Sequence, residues 1–132
     1  MTDDCLFCAI VDGSIPSRQV YADESAVAFL DIQPWHRGHT LVVPRRHVAS
    51  IVDDPTSWED LRSVVEHVVP LLMDRLGADG MNVLMNAGEV SGQEVMHVHV
   101  HLVPRYDDAP GLGNLTGRDT TDLDAVLAQL TA

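Results

Sequence analysis

Hydrophobic positions along this chain follow two different periods, and the switch between them predicts the elements. Residues 19–22 and 26–30 read as two short strands around the Asp23-Glu24-Ser25 turn, after a turn at Ile15-Pro16-Ser17 that follows Gly13. Residues 35–38 form a loop leading into His39-Thr40-Leu41-Val42-Val43-Pro44, a strand stopped by its proline. Residues 47–52 are predicted as a short helix before Asp53-Asp54-Pro55. The period then lengthens to that of a helix, with Leu61, Val64, Val65, Val68, Leu72 and Leu76 on one face. Thr56 and Glu59 fit a capping box at its start, Gly77 ends it, and Pro70 predicts a kink or an early end. Residues 81–86 read as a strand, 87–93 as a polar loop and 95–105 as a strand. Residues 107–117 are irregular, and 123–130 form a short terminal helix. Three strands, a helix and two more strands make an α+β pattern with an antiparallel sheet.

Composition narrows the class. With 132 residues, 45% hydrophobic and 21% charged, the chain is expected to form one globular domain over residues 1–132. No run of about 18 apolar residues occurs, and Met1-Thr2-Asp3-Asp4 is acidic where a signal peptide is basic, so a cytoplasmic location is expected. The formal charge is −12, carried against eight arginines and no lysine. Such a surface repels a nucleic-acid polymer, yet a small phosphorylated molecule can still be held by local imidazoles and backbone N–H groups. The absence of lysine excludes Schiff-base chemistry and a P-loop lysine, and no Gly-rich dinucleotide fingerprint occurs, so no organic cofactor is expected.

The chemistry concentrates in His97-Val98-His99-Val100-His101. Alternation on a strand puts His97, His99 and His101 on one face and Val98, Val100 and Leu102 on the other. The valine face packs on a core, whereas three imidazoles need partners and repel one another if charged. Residues two apart on a strand are separated by roughly 6.6 Å and residues four apart by roughly 13 Å. Two neighbouring rings can therefore reach one metal ion, but three cannot easily converge. Nucleophilic catalysis by the middle ring, oriented by its neighbours, is favoured modestly over a metal site. A histidine-rich surface strand is the bland alternative, and the apolar opposite face speaks against it. Cys5-Leu6-Phe7-Cys8 is a C-x-x-C that points to metal ligation or redox chemistry, with two buried inert cysteines as the competing reading. A structural zinc would need two more ligands, for which the seven histidines are the obvious source.

His97-Val98-His99-Val100-His101-Leu102-Val103 resembles the signature of the histidine triad (HIT) family, three histidines separated by single apolar residues. Four other stretches agree with its bacterial, Hint-like hydrolase branch. They are Cys5-Leu6-Phe7-Cys8-Ala9-Ile10, Phe29-Leu30-Asp31-Ile32, Gly38 to His47, and Asn82, Asn86, Gly88 and Gly92-Gln93 before the triad. The resemblance implies a five-stranded antiparallel sheet with one long helix, paired with a second copy into a ten-stranded homodimer. It also implies a nucleotide-binding hydrolase or transferase attacking the α-phosphate of a purine nucleotide conjugate. A nucleoside phosphoramidate, an aminoacyl-adenylate or a dinucleoside polyphosphate would serve. His99 would be the nucleophile and form a covalent nucleotidyl-histidine, with His101 holding the phosphate and His39 supporting the row. Asp31 would accept from the ribose hydroxyls, Asn86 and Gln93 would contact phosphate or bridging oxygens, and Phe29 and Ile32 would line the base pocket. Cys5, Cys8, His47 and His97 would hold a structural zinc. Two departures stand out: Glu94 occupies a place where many Hint-like members carry a hydroxyl that donates to phosphate, and the carboxy-terminal Gln129-Leu130-Thr131-Ala132 lacks an aromatic tail. Competing functions are a nucleotide-binding regulatory module with incidental hydrolysis and a metal-dependent enzyme built on the histidine strand.

Overall fold

The computed structural model describes residues 4–132, so most of the acidic amino-terminal stretch, residues 1–3, lies outside the described residues. Its centre is one antiparallel sheet of five strands in the order β1-β2-β3-β5-β4. The strands are β1 (Gln19–Ala22), β2 (Ala26–Leu30), β3 (Thr40–Pro44), β4 (Gly80–Leu84) and β5 (Val100–Arg105). Among the described residues three α-helices accompany them: α1 (Leu6–Val11), α2 (Ser57–Leu76) and α3 (Leu123–Thr131).

Both faces of the sheet are covered, which explains why β2 and β3 are buried at every position. Ala26, Ala28, Leu30 and Val42 pack with Val98, Val100 and Leu102 against Leu61, Val64, Val68 and Leu72 of α2. The alternate residues, Val27, Phe29, Leu41 and Val43, form a second cluster with Phe7 of α1. The valines of the histidine segment thus enter the α2 core, as their period of two requires.

Four local expectations are corrected. The hydrogen-bonded strand begins at Val100, so residues 95–99 stand outside the ladder. Val42 pairs with Val100. Two residues on, Pro44 has no N–H to continue the pairing, and the Val98 N–H donates instead to the Val48 carbonyl at 2.7 Å. That bond also explains why residues 47–52 form turns and no helix: their backbone answers the histidine segment. At the start of α2, Thr56 makes no capping bond with its side chain, and Asp54 accepts from the Thr56 N–H (3.0 Å) and hydroxyl (2.6 Å). Pro70 lies within α2 without ending it, on the exposed face where water can satisfy the carbonyl it leaves free. The short helix α1 was not anticipated; the Cys5 Sγ accepts from the Cys8 N–H at its start.

Candidate active site

β3 and β5 are hydrogen-bonded neighbours, and Leu41 pairs with His101. His39, one residue before β3, consequently lies beside His101, and its Nε2 is 2.9 Å from the His101 Nδ1. Both rings are buried, and burial together with neighbouring histidines pushes both down from 6.5 to about 3. They are therefore neutral at physiological pH, and each has one N–H and one lone pair.

The backbone decides which nitrogen is which. The Trp35 N–H lies 3.0 Å from the His39 Nδ1 and can only donate, so the proton of His39 sits on Nε2. That Nε2–H donates to the His101 Nδ1, which leaves the proton of His101 on its own Nε2. The His99 Nδ1 lies 2.8 Å from the His97 carbonyl, which can only accept, so the His99 Nε2 carries the lone pair. Burial pushes His99 down from its ordinary value, against the pull of the His97 carbonyl, Asp31 and Glu94. The result is a neutral imidazole whose Nε2 carries the lone pair, next to an N–H donor on His101.

Around these rings is a cavity of about 460 Å³. Its lining includes His99, His101, Phe29, Asp31, Ile32 and Asn86, so six of the sequence candidates meet there. Ile32 is 74% exposed and forms part of the rim. Asp31 holds a fixed position because its Oδ1 accepts from the Gln33 N–H at 2.8 Å, and its Oδ2 lies 3.7 Å from the His39 Nε2. Phe7 meets the His99 ring edge-on at 5.1 Å. Gln93 is not brought to the wall. It is buried, its Oε1 accepts from the Gly88 N–H, and its Nε2 donates to the carbonyls of Ala49 (2.7 Å) and Val95 (2.9 Å). Both amide hydrogens are committed, so Gln93 braces the loop.

Trp35 was missed. Its indole stacks on His101 with centroids 4.9 Å apart and an 8° angle, and it lines the cavity. The only signal available in the sequence was an aromatic residue four positions before His39, in a segment read merely as a connection.

Behind the row lies a second constellation. Cys5, Cys8, His47 and His97 place their ligand atoms within 4.8 Å of one another. The Cys8 Sγ is 3.3 Å from the His47 Nδ1 and 3.5 Å from the His97 Nδ1; the Cys5 Sγ is 3.4 Å from the His97 Nδ1, and the two Nδ1 atoms are 3.3 Å apart. A tetrahedral zinc with bonds of about 2.3 Å to sulfur and about 2.05 Å to nitrogen requires about 3.6 Å between S and N and about 3.4 Å between nitrogens. The four residues fit. His97 is also in the ligand tautomer, since its Nε2 donates to the Pro44 carbonyl at 2.8 Å and leaves Nδ1 free. The cluster could therefore hold a metal ion. Asp31, His39 and His101 also approach one another within ligand distance, but the two imidazoles already share a proton there.

Comparison with known proteins agrees with this geometry. An uncharacterized HIT-like protein of Methanocaldococcus jannaschii is 41% identical over 128 residues, covering 96% of this chain and 98% of that protein. An adenosine 5′-monophosphoramidase of Candida albicans is 38% identical over 125 residues, covering 91% of this chain and 82% of that enzyme. Among solved structures, a zinc-bound histidine triad family protein from Mycobacterium smegmatis superposes with a TM-score of 0.84 at 35% identity, over 96% of this chain and 90% of that one. Residues 12–108 match the HIT domain, and the chain belongs to the histidine triad family.

Proposed function

We propose that this protein is a nucleotide hydrolase or transferase that attacks the α-phosphate of a purine ribonucleotide conjugate, of the phosphoramidase or dinucleoside polyphosphate hydrolase type. The observation that carries the proposal is the assigned tautomer of His99, a neutral ring with its Nε2 lone pair unclaimed, on the wall of a cavity of about 460 Å³. Similarity to the Candida adenosine 5′-monophosphoramidase supports the same substrate class.

In the first step the His99 Nε2 lone pair forms a bond to phosphorus and the bond from phosphorus to the leaving group breaks. The leaving group departs with that electron pair and takes a proton from solvent. The Nε2–H of His101 donates to a phosphoryl oxygen, and the His39 Nε2–H keeps His101 in the tautomer that allows this. In the second step water attacks phosphorus and releases one proton to solvent, replacing the one the leaving group took; the N–P bond breaks, Nε2 recovers its lone pair, and a nucleoside monophosphate leaves. Asp31 receives the ribose hydroxyls, Asn86 donates to a phosphate oxygen, and Phe29 and Ile32 contact the base.

A structural zinc fits Cys5, Cys8, His47 and His97, a closed Cys₂His₂ set with no open position for substrate. The metal-dependent alternative would need the His39 and His101 nitrogens that already bond to each other, and is disfavoured. Two copies joined along the edge of β4 would form the ten-stranded homodimer, and β4 is a terminal strand of the sheet.

The test is single-turnover and steady-state hydrolysis of adenosine 5′-phosphoramidate by wild-type protein and by His99→Ala. Loss of turnover by several orders of magnitude with AMP binding retained is expected. More than a few per cent of residual turnover would refute the nucleophile assignment. Absence of a labelled protein intermediate and of turnover in the wild type would favour a regulatory nucleotide-binding module.

A further inference from the structure

We infer that Glu94 determines leaving-group specificity: its carboxylate makes the site prefer nucleoside 5′-phosphoryl conjugates whose leaving group carries positive charge over those whose leaving group is anionic. The inference rests on the hydrolase reading of the same cavity.

Glu94 lines that cavity together with His99, Asn86 and Gly92. Its position is fixed from the side, because the neighbouring Gln93 is buried and tied to Gly88, Ala49 and Val95. The Glu94 side chain is exposed, and among the described residues it makes no hydrogen bond or ion pair. Its carboxylate shares the cavity wall with the His99 and His101 rings and with Asp31. Asp31 is already engaged by the Gln33 N–H and adjoins His39. Glu94 is therefore the carboxylate of this cavity that has no partner of its own among the described residues.

Leu6, Phe7 and Ile10 of α1 and Phe29 of β2 contribute apolar lining that suits a base. A substrate with its base on those residues and its phosphorus at His99 leaves its leaving group to the rest of the lining, which includes Glu94. A polyphosphate would bring several negative charges there against a fixed carboxylate, while an ammonium would be attracted. Two arginines also line the cavity: Arg18 is held by Asp124 at 2.8 Å, and Arg118, exposed like Glu94 and without an ion pair among the described residues, is the cation that the Glu94 carboxylate has to outweigh. With a net charge of −12, the rest of the chain adds to the bias against anions.

The experiment uses three adenosine 5′-phosphoramidates that differ only in the charge of the amine: ethylenediamine (cationic), ethylamine (neutral) and glycine (anionic). The wild-type kcat/KM should fall in that order. In Glu94→Gln, an isosteric and neutral change on an exposed side chain, the cation-to-anion ratio should drop by about tenfold while the ethylamine conjugate changes little. The wild-type ratio should also shrink as salt is raised, and the Glu94→Gln ratio should shrink less. The same order should appear in the affinities of the three conjugates for His99→Ala protein, which reads charge selection independently of turnover. Equal ratios in wild type and Glu94→Gln, or a wild-type preference for the glycine conjugate, would overturn the assignment. Failure of the wild type to hydrolyse any of the three would instead refute the hydrolase reading, with the binding order still deciding the role of Glu94.

Discussion

A histidine offers two nitrogens, and its usefulness as a nucleophile depends on what happens to the one that does not react. Here the His99 Nδ1–H donates to the His97 carbonyl, and a backbone N–H from Trp35 sets His39 and through it His101. None of this was legible in the sequence. The alternating pattern gave the face and the order of the rings, but tautomers depend on carbonyl and N–H groups contributed by every residue type alike. Gln93 shows the opposite failure: an amide in the right place along the chain turned inward, because the loop backbone needed its donors more than a solvent-filled cavity did. Asp31 supports a prediction at this scale. Its carboxylate should accept from both ribose hydroxyls, and losing one charge-assisted hydrogen bond costs about 1.5–3 kcal/mol, or roughly ten- to a hundredfold in affinity. AMP should bind that much more tightly than dAMP, and Asp31→Ala should erase the difference. Equal binding of the two nucleotides by the wild type would exclude the ribose role.

Secondary structure was readable where burial alone shaped it. β1 and β2 follow from short runs set off by the turn between them, and the span of α2 follows from period-3.6 patterning. The readings failed where one segment answered a distant one, as at residues 47–52, whose carbonyl at Val48 serves the Val98 N–H. The turn from Asp31 to His39 is held by a close approach of a different kind. Gly38 has φ +88°, and a Cβ there would lie 2.3 Å from the Leu76 Cδ1 and 3.2 Å from the Pro104 Cγ. Leu76 is only 6% exposed, so its side chain has little room to retreat. Gly38→Ala should therefore destabilise the fold by about 1–3 kcal/mol through backbone strain and core displacement together. Denaturant unfolding would reveal this as a lower midpoint with an unchanged slope, and an unchanged midpoint would show that the turn relaxes freely. Because His39 follows immediately, activity should fall further than stability predicts.

At the scale of the whole molecule, one sheet separates two kinds of interior. The α2 side is a continuous aliphatic core. The α1 side is smaller, and there Phe7, the two cysteines and the histidine row share the space. The short α1 has few apolar contacts of its own, and Cys5, Cys8, His47 and His97 tie it to the end of β3 and to the histidine segment. A bound zinc at these four ligands would contribute folding free energy directly. Elemental analysis should find one zinc per chain, and chelation should lower the melting temperature by several degrees or more. Protein shown to be metal-free but melting at the same temperature as the untreated sample would rule out a structural role.

Trp35 has a practical consequence of an optical kind. The chain contains two tryptophans, Trp35 and Trp58. Trp58 is 44% exposed in the first turn of α2, whereas Trp35 lies flat against a histidine in the wall of the nucleotide-sized cavity. A ligand that displaces water from that wall alters the surroundings of one indole and leaves the other in solvent. The protein thus carries its own emission probe together with an internal reference: adding AMP should shift or quench the fluorescence of the wild type, and Trp35→Phe should emit from Trp58 alone with no response.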